Sequence, residues 1–222
     1  LAENGTATAV DGGARCGTDD MAVVNLKKRQ IECKIVYYGP ARCGKTTNLE
    51  YIHRTFTQHV KGEMISIDTE GDRTLFFDFL PLELGKLKGC DVRVQLYTVP
   101  GQVRYSSTRK LVLRGADGIV FVADSLEVRR EQNMLALKDL QQNLRDYNLS
   151  VFKVPLVLQF NKRDLADAGI SLMTVEQMST ELNRQLKAPA FPAAALSGMG
   201  VGKTLQECLR LVLRSLQQEL NF

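Results

Sequence analysis

"CKIVYYGPARCGKTT", residues 33–47, contains two signals in succession. Its first half, 33–39, is a short, nearly continuous apolar run that stops at a glycine, as a central strand covered on both faces does. Its second half fits G-x-x-x-x-G-K-[ST] at Gly39, Gly44, Lys45 and Thr46. The chemistry of a phosphate site calls for this spacing. Backbone N–H groups must converge on phosphate oxygens, so Gly39 and Gly44 allow unusual dihedrals and close approach. A helix that starts where the loop ends presents its positive N-terminus to the anion. Lys45 would neutralise the β- and γ-phosphates, and the Thr46 hydroxyl would ligate Mg²⁺. The expected cradle is the whole loop: Gly39, Pro40, Ala41, Arg42, Cys43, Gly44, Lys45, Thr46 and Thr47.

Working outward, strand-like and helix-like segments alternate. "TLFFDFL" (74–80) and "VRVQLYT" (92–98) are separated by a Gly-containing connection that suits a hairpin or a longer turn. "GIVFVAD" (118–124) and "VPLVLQF" (154–160) are apolar runs expected of parallel central strands. Helical spacing appears over 128–147, with Leu135, Leu137, Leu140 and Leu144, and over 202–220, with Leu205, Leu209, Val212, Leu216 and Leu220. This order predicts an α/β fold with a doubly wound, mostly parallel sheet, whose ligands sit at the carboxyl ends of the strands. Residues 1–26 are expected to be a disordered tail, rich in Gly, Ala, Thr and Asp up to residue 20, and 27–222 the folded domain. Met21 is an alternative start, which would make the preceding stretch an artefact.

Composition narrows the function. A chain of 222 residues suits one large domain, and its 44% hydrophobic and 24% charged residues are those of an ordinary globular protein. The net charge of +4 is compatible with a small anionic ligand, but no basic run with interleaved aromatics points to nucleic acid. Five cysteines are scattered without a CxxC pair, which suggests reduced thiols in a cytoplasmic protein rather than a disulfide framework or zinc site. No apolar stretch approaches a membrane span, and "QQELNF" is no prenylation motif.

A phosphate loop alone does not select the base. The run 154–160 leads into "NKRD", residues 161–164. Asp164 can accept from both the ring N–H and the exocyclic amine of guanine. Adenine offers no such donor pair and would leave the carboxylate unpaired, which disfavours an ATP-dependent kinase. Asn161 can tie the strand end to the phosphate loop, and the Lys162 stem can lie over the purine face.

Phosphate loop, "TVPGQ" (98–102) and "NKRD" in this order resemble the Ras-like small GTPases of the P-loop NTPase class. "CKIVYYGPARCGKTTNLEYIH", "DRTLFFDFLPLELG", "LYTVPGQVRY" and "GIVFVADS" look specifically like the bacterial MglA-type (mutual gliding protein) GTPases, from about residue 27 onward. The resemblance implies a switch that binds GTP and GDP with Mg²⁺ and hydrolyses GTP slowly unless activated. It implies a roadblock-fold, MglB-type activator and roles in cell polarity or gliding motility. Recruitment to a pole or membrane would then come through partners.

By the same resemblance, the Gly101 N–H would meet the γ-phosphate and Gln102 would orient the attacking water. Arg73 would be an arginine finger in cis, with Lys45 as the second charge on the transferring group. Thr74 would give Mg²⁺ a second hydroxyl beside Thr46, and the Ala195 N–H would meet the guanine carbonyl oxygen. Tyr105 and Arg109 look like second-switch residues or a partner surface. Two positions depart from the general pattern. Thr98 stands where most Ras-like proteins have Asp, a replacement MglA-type proteins share, so Mg²⁺ would be held chiefly by Thr46, Thr74 and the phosphates, with modest affinity. Ala41 stands where the MglA-type pattern usually has Gly, and its methyl could crowd Gln102; a GTP-loaded scaffold with very slow hydrolysis is the alternative this raises.

Overall fold

The apolar runs become neighbouring strands of one sheet. The computed structural model describes residues 23–25, 29–67, 77–87, 89–102 and 105–219. Eight strands appear among them: β1 (Val23–Asn25), β2 (Gln30–Tyr38), β3 (Ile65–Ile67), β4 (Phe77–Leu87), β5 (Cys90–Thr98), β6 (Gly118–Asp124), β7 (Leu156–Asn161) and β8 (Ala190–Pro192). Their order is β3-β4-β5-β2-β6-β7-β8, with β1 pairing antiparallel to the start of β2. The pairs β2–β5, β2–β6, β6–β7 and β7–β8 are parallel, and β3 and β4 form the antiparallel edge.

Side-chain parity divides the core. Ile35, Tyr37, Val120, Val122 and Val157 pack on one face with Leu49 and Ile52 of α1 (Lys45–Thr55) and Leu205, Cys208 and Val212 of α5 (Val201–Glu219). Val36, Tyr38, Ile119, Phe121, Leu158 and Phe160 pack on the other. There they meet Val112 and Leu113 of α2 (Ser106–Leu113), and Leu137, Leu140 and Leu144 of α3 (Arg130–Arg145). A strand buried on both faces has no polar side to show, which is why β6 and β7 read as unbroken apolar runs. The remaining α-helix, α4 (Val175–Met178), opens on a Thr174–Gln177 capping box and continues as a π-helical turn, Ser179–Asn183.

The structure moves three boundaries. β4 and β5 continue through most of the expected connection to a tight hairpin, with Leu87 opposite Cys90 and Gly89 at φ +82°. Pro81, Gly85 and the charged residues of β4 hide this extension, and an irregularity between Glu83 and Lys86 interrupts its alternation. Three-residue strands β1, β3 and β8 are supported by their partners rather than by their own pattern. β1 falls inside the stretch 1–26 expected to be a tail, so ordered pairing begins earlier than that boundary.

Candidate functional site

The carboxyl ends of β2, β5, β6 and β7 lie side by side, and the sequence motifs leave the sheet there. The loop after β2 runs straight into α1, whose first residue is Lys45. Gly44 caps that helix at φ +99°, with no side-chain cap and no acidic residue in the first turn. The terminal N–H groups therefore have neither a capping oxygen nor a carboxylate of the first turn, the arrangement that suits an external anion. A side chain on Gly44 would also strike Asn161, its Cβ falling 2.3 Å from Nδ2.

Asn161 joins two neighbouring loops to the end of β7. Its Nδ2 donates to the Cys43 carbonyl at 2.8 Å, and its Oδ1 accepts from the Ala195 N–H at 2.8 Å. Through the second bond the Ala195 N–H, expected to meet the guanine carbonyl oxygen, is joined to Asn161. Lys162, at φ +70°, donates to the wholly buried Asp124 carboxylate at 2.6 Å. Asp164 is partly buried at the start of the helical turn Arg163–Ala168.

Lys45 is 6% exposed and folded back on its own loop, donating to the carbonyls of Gly39 at 3.0 Å and Pro40 at 2.7 Å. It is thus a cation held inside the cradle. Cys43 is fully buried, and burial raises its thiol despite the nearby Lys45 ammonium, so it acts as a neutral packing group. Arg42 is exposed, at φ +61°, and Pro40, Ala41 and Thr47 complete the loop.

Gly101 packs directly on this loop. A Cβ there would lie 2.3 Å from the Ala41 nitrogen and 2.4 Å from its Cα, so only glycine fits. Gln102 is exposed, and its carbonyl accepts from Arg109 Nη1 at 2.5 Å. Arg109, expected at a surface, is only 6% exposed and pairs with Asp139 of α3 at 2.7 Å. Tyr105 is partly buried just ahead of α2. Arg73 and Thr74 lie outside the described residues.

A residue the motif reading missed sits at Thr98. Antiparallel pairing of β4 with β5, and of β3 with β4, sets Ser66, Asp78 and Thr98 in one row across three strands. Asp78 Oδ2 accepts from Thr98 Oγ1 at 2.8 Å and from Thr46 Oγ1 at 2.6 Å; Oδ1 accepts from Ser66 Oγ at 2.8 Å. Thr98 Oγ1 in turn accepts the Asp78 N–H at 2.9 Å. The neutral hydroxyl of Thr98 thus has a carboxylate beside it, supplied by β4. A lone aspartate inside the apolar "TLFFDFL" was the available signal.

A Ras family model matches residues 34–214. The chain is 50% identical over 198 residues to the mutual gliding-motility protein MglA of Myxococcus xanthus, covering 89% of this chain and 99% of that one. It is 27% identical over 190 residues to the Ras-related protein Rab-32C of Dictyostelium discoideum, covering 85% and 77%. To the human ADP-ribosylation factor-like protein 4A it is 25% identical over 189 residues, covering 81% and 83%.

Proposed function

The chain belongs to the Ras family, and from that premise we propose a guanine-nucleotide switch of the MglA type that binds GTP, hydrolyses it and changes partner surface between the two states. The observation that carries the reading is Asn161, which joins the base motif to the phosphate loop through Cys43 and to the 195 loop through Ala195. It unites three sequence-distant segments.

In this reading Asp164 selects guanine through its paired donors. Lys45 leaves its loop carbonyls for the β- and γ-phosphates, while the N-terminus of α1 holds their oxygens. Gln102 orients water for in-line attack, and Arg73 and Lys45 oppose the charge that develops on the transferring group. Thr46, Thr74, Asp78 and Thr98 would supply hard oxygen donors suited to Mg²⁺. That ion, when bound, would neutralise phosphate charge. The Gly101 N–H meets the γ-phosphate and is released after hydrolysis, which makes 98–110 and the segment around 62–80 the switch elements.

The likeness to a mutual gliding-motility protein extends the proposal to gliding motility or cell polarity, with an MglB-type roadblock protein as activator. No helix among the described residues is long and apolar enough to cross a membrane; a cytoplasmic protein recruited to a pole through its partners is the matching proposal. Displacement of fluorescent GDP tests the base assignment. GDP should compete at least about a hundredfold better than ADP, as hydrogen-bonded base discrimination allows, and Asp164→Ala should abolish the difference. Equal competition by ADP would contradict the guanine reading.

A further inference from the structure

Asp124, the last residue of β6, is completely buried, and two cations approach its carboxylate. Lys162 Nζ lies 2.6 Å from Oδ2 and Arg129 Nε 3.8 Å from it, while Oδ1 accepts the Leu126 N–H at 3.2 Å. The backbone of Asp124 is itself clamped by Asn133 of α3, which bonds its N–H at 2.9 Å and its carbonyl at 2.8 Å. Arg129 then reaches across 88 residues of sequence: its Nη2 donates to the carbonyl of Ala41 at 2.6 Å. A chain of charged contacts thus runs from the base motif to the phosphate loop, Lys162–Asp124–Arg129–Ala41.

The direction of the grip matters. In a trans peptide the carbonyl and the following N–H point opposite ways. Asn161 holds the Cys43 carbonyl, which turns the Gly44 N–H away from Asn161. Arg129 does the same two residues earlier: holding the Ala41 carbonyl turns the Arg42 N–H away from Arg129. The two side chains act as external tethers that face alternate N–H groups inward. Ala41 is also the residue against which Gly101 packs, so this tether sets the backbone where the switch segment meets the loop. Two cations on one buried carboxylate leave a net positive charge behind the loop, a balance that a polyphosphate completes.

We propose that Arg129 is a positioning residue for the phosphate loop, coupled through Asp124 to Lys162, so that nucleotide retention depends on this charged chain as well as on the loop motif. The inference rests on the guanine-nucleotide reading above. Its test is the dissociation rate of fluorescent GDP from the full chain, measured for the parent, Arg129→Gln, Arg129→Lys, Asp124→Asn and the Arg129→Gln/Asp124→Asn double variant, with thermal melting alongside. Loss of a bond to a charged donor should speed dissociation by about tenfold to a hundredfold in Arg129→Gln. Arg129→Lys, able to reach the carbonyl with one N–H, should fall between it and the parent, at closely similar melting temperatures. The double variant should be less severe than the product of the single effects, as expected of groups that act together. A dissociation rate in Arg129→Gln within twofold of the parent would overturn the positioning role. Strictly multiplicative single effects would overturn the coupling through Asp124. A parent that retains no GDP would overturn the nucleotide reading itself, and this inference with it.

Discussion

At Thr98 the chain has moved a charge from one strand to its neighbour. The residue at the end of β5 is a neutral hydroxyl, and the carboxylate stands opposite it on β4, bonded to Thr98, Thr46 and Ser66 at once. In the proposed switch this carboxylate would serve Mg²⁺, because carboxylate and hydroxyl oxygens are hard donors. Asp78→Asn keeps the shape but removes the charge and turns one of the two accepting oxygens into an N–H donor. It should raise the Mg²⁺ concentration needed to slow GDP release by about tenfold, an amount typical of one charge-assisted ligand contact. An Mg²⁺ titration of GDP release checks this, and an unchanged midpoint would remove Asp78 from the site. Sequence made the loop glycines, Lys45, Thr46 and Asn161 legible because each acts within, or directly upon, one contiguous motif. Asp78, Asp124 and Arg129 were not legible, since their roles come from strand register and from contacts 32–88 residues away. The bond from the Ala195 N–H to Asn161 was not legible either, because it joins two loops far apart in sequence.

At the scale of elements, the segment after β5 is anchored by α2 and α3. Arg109 donates to the Gln102 carbonyl and to the Asp139 carboxylate, and Tyr38 of β2 and Asn143 share that carboxylate. Burial, with Asp139 beside it, pushes the Tyr38 hydroxyl well above the ordinary tyrosine range, so it stays a donor. Asp139 keeps 31% of its side chain exposed, so water softens the loss when its partner is removed. Arg109→Met should therefore cost about 1.5–3 kcal/mol in urea unfolding and speed amide exchange at Tyr105, whose N–H bonds the Gln102 carbonyl. Unaltered exchange there would show that the anchor does not govern the switch segment. The central strands were readable because burial on both faces forces a continuous apolar run. The outer ones were not: β1, β3 and β8 have too few residues to display a period, and β4 mixes proline, glycine and charges along an edge.

Over the whole molecule, the doubly wound sheet gathers four strand ends into one site, and most of its fold was legible because motif order follows strand order in such topologies. Among the described residues, the same two-sided core buries three thiols. Burial pushes Cys33 up to about 12 and raises Cys43 and Cys208 as well. Below the ordinary thiol value of 9.0 both folded and unfolded chains keep these protons. Above it the unfolded chain releases protons that the folded chain retains, so stability falls as pH rises through that range. Melting temperature should decline from about pH 9 upward, less steeply in Cys33→Ala, and identical slopes would contradict this account of the core. The most direct test of the central claim is single-turnover phosphate release by the purified protein from Mg·GTP, with Mg·ATP as control. The account predicts release from GTP alone, at a rate between about 10⁻⁴ s⁻¹ unassisted and about 1 s⁻¹ if Arg73 works in cis, and lost in Gln102→Leu. Release from ATP but not from GTP would contradict it.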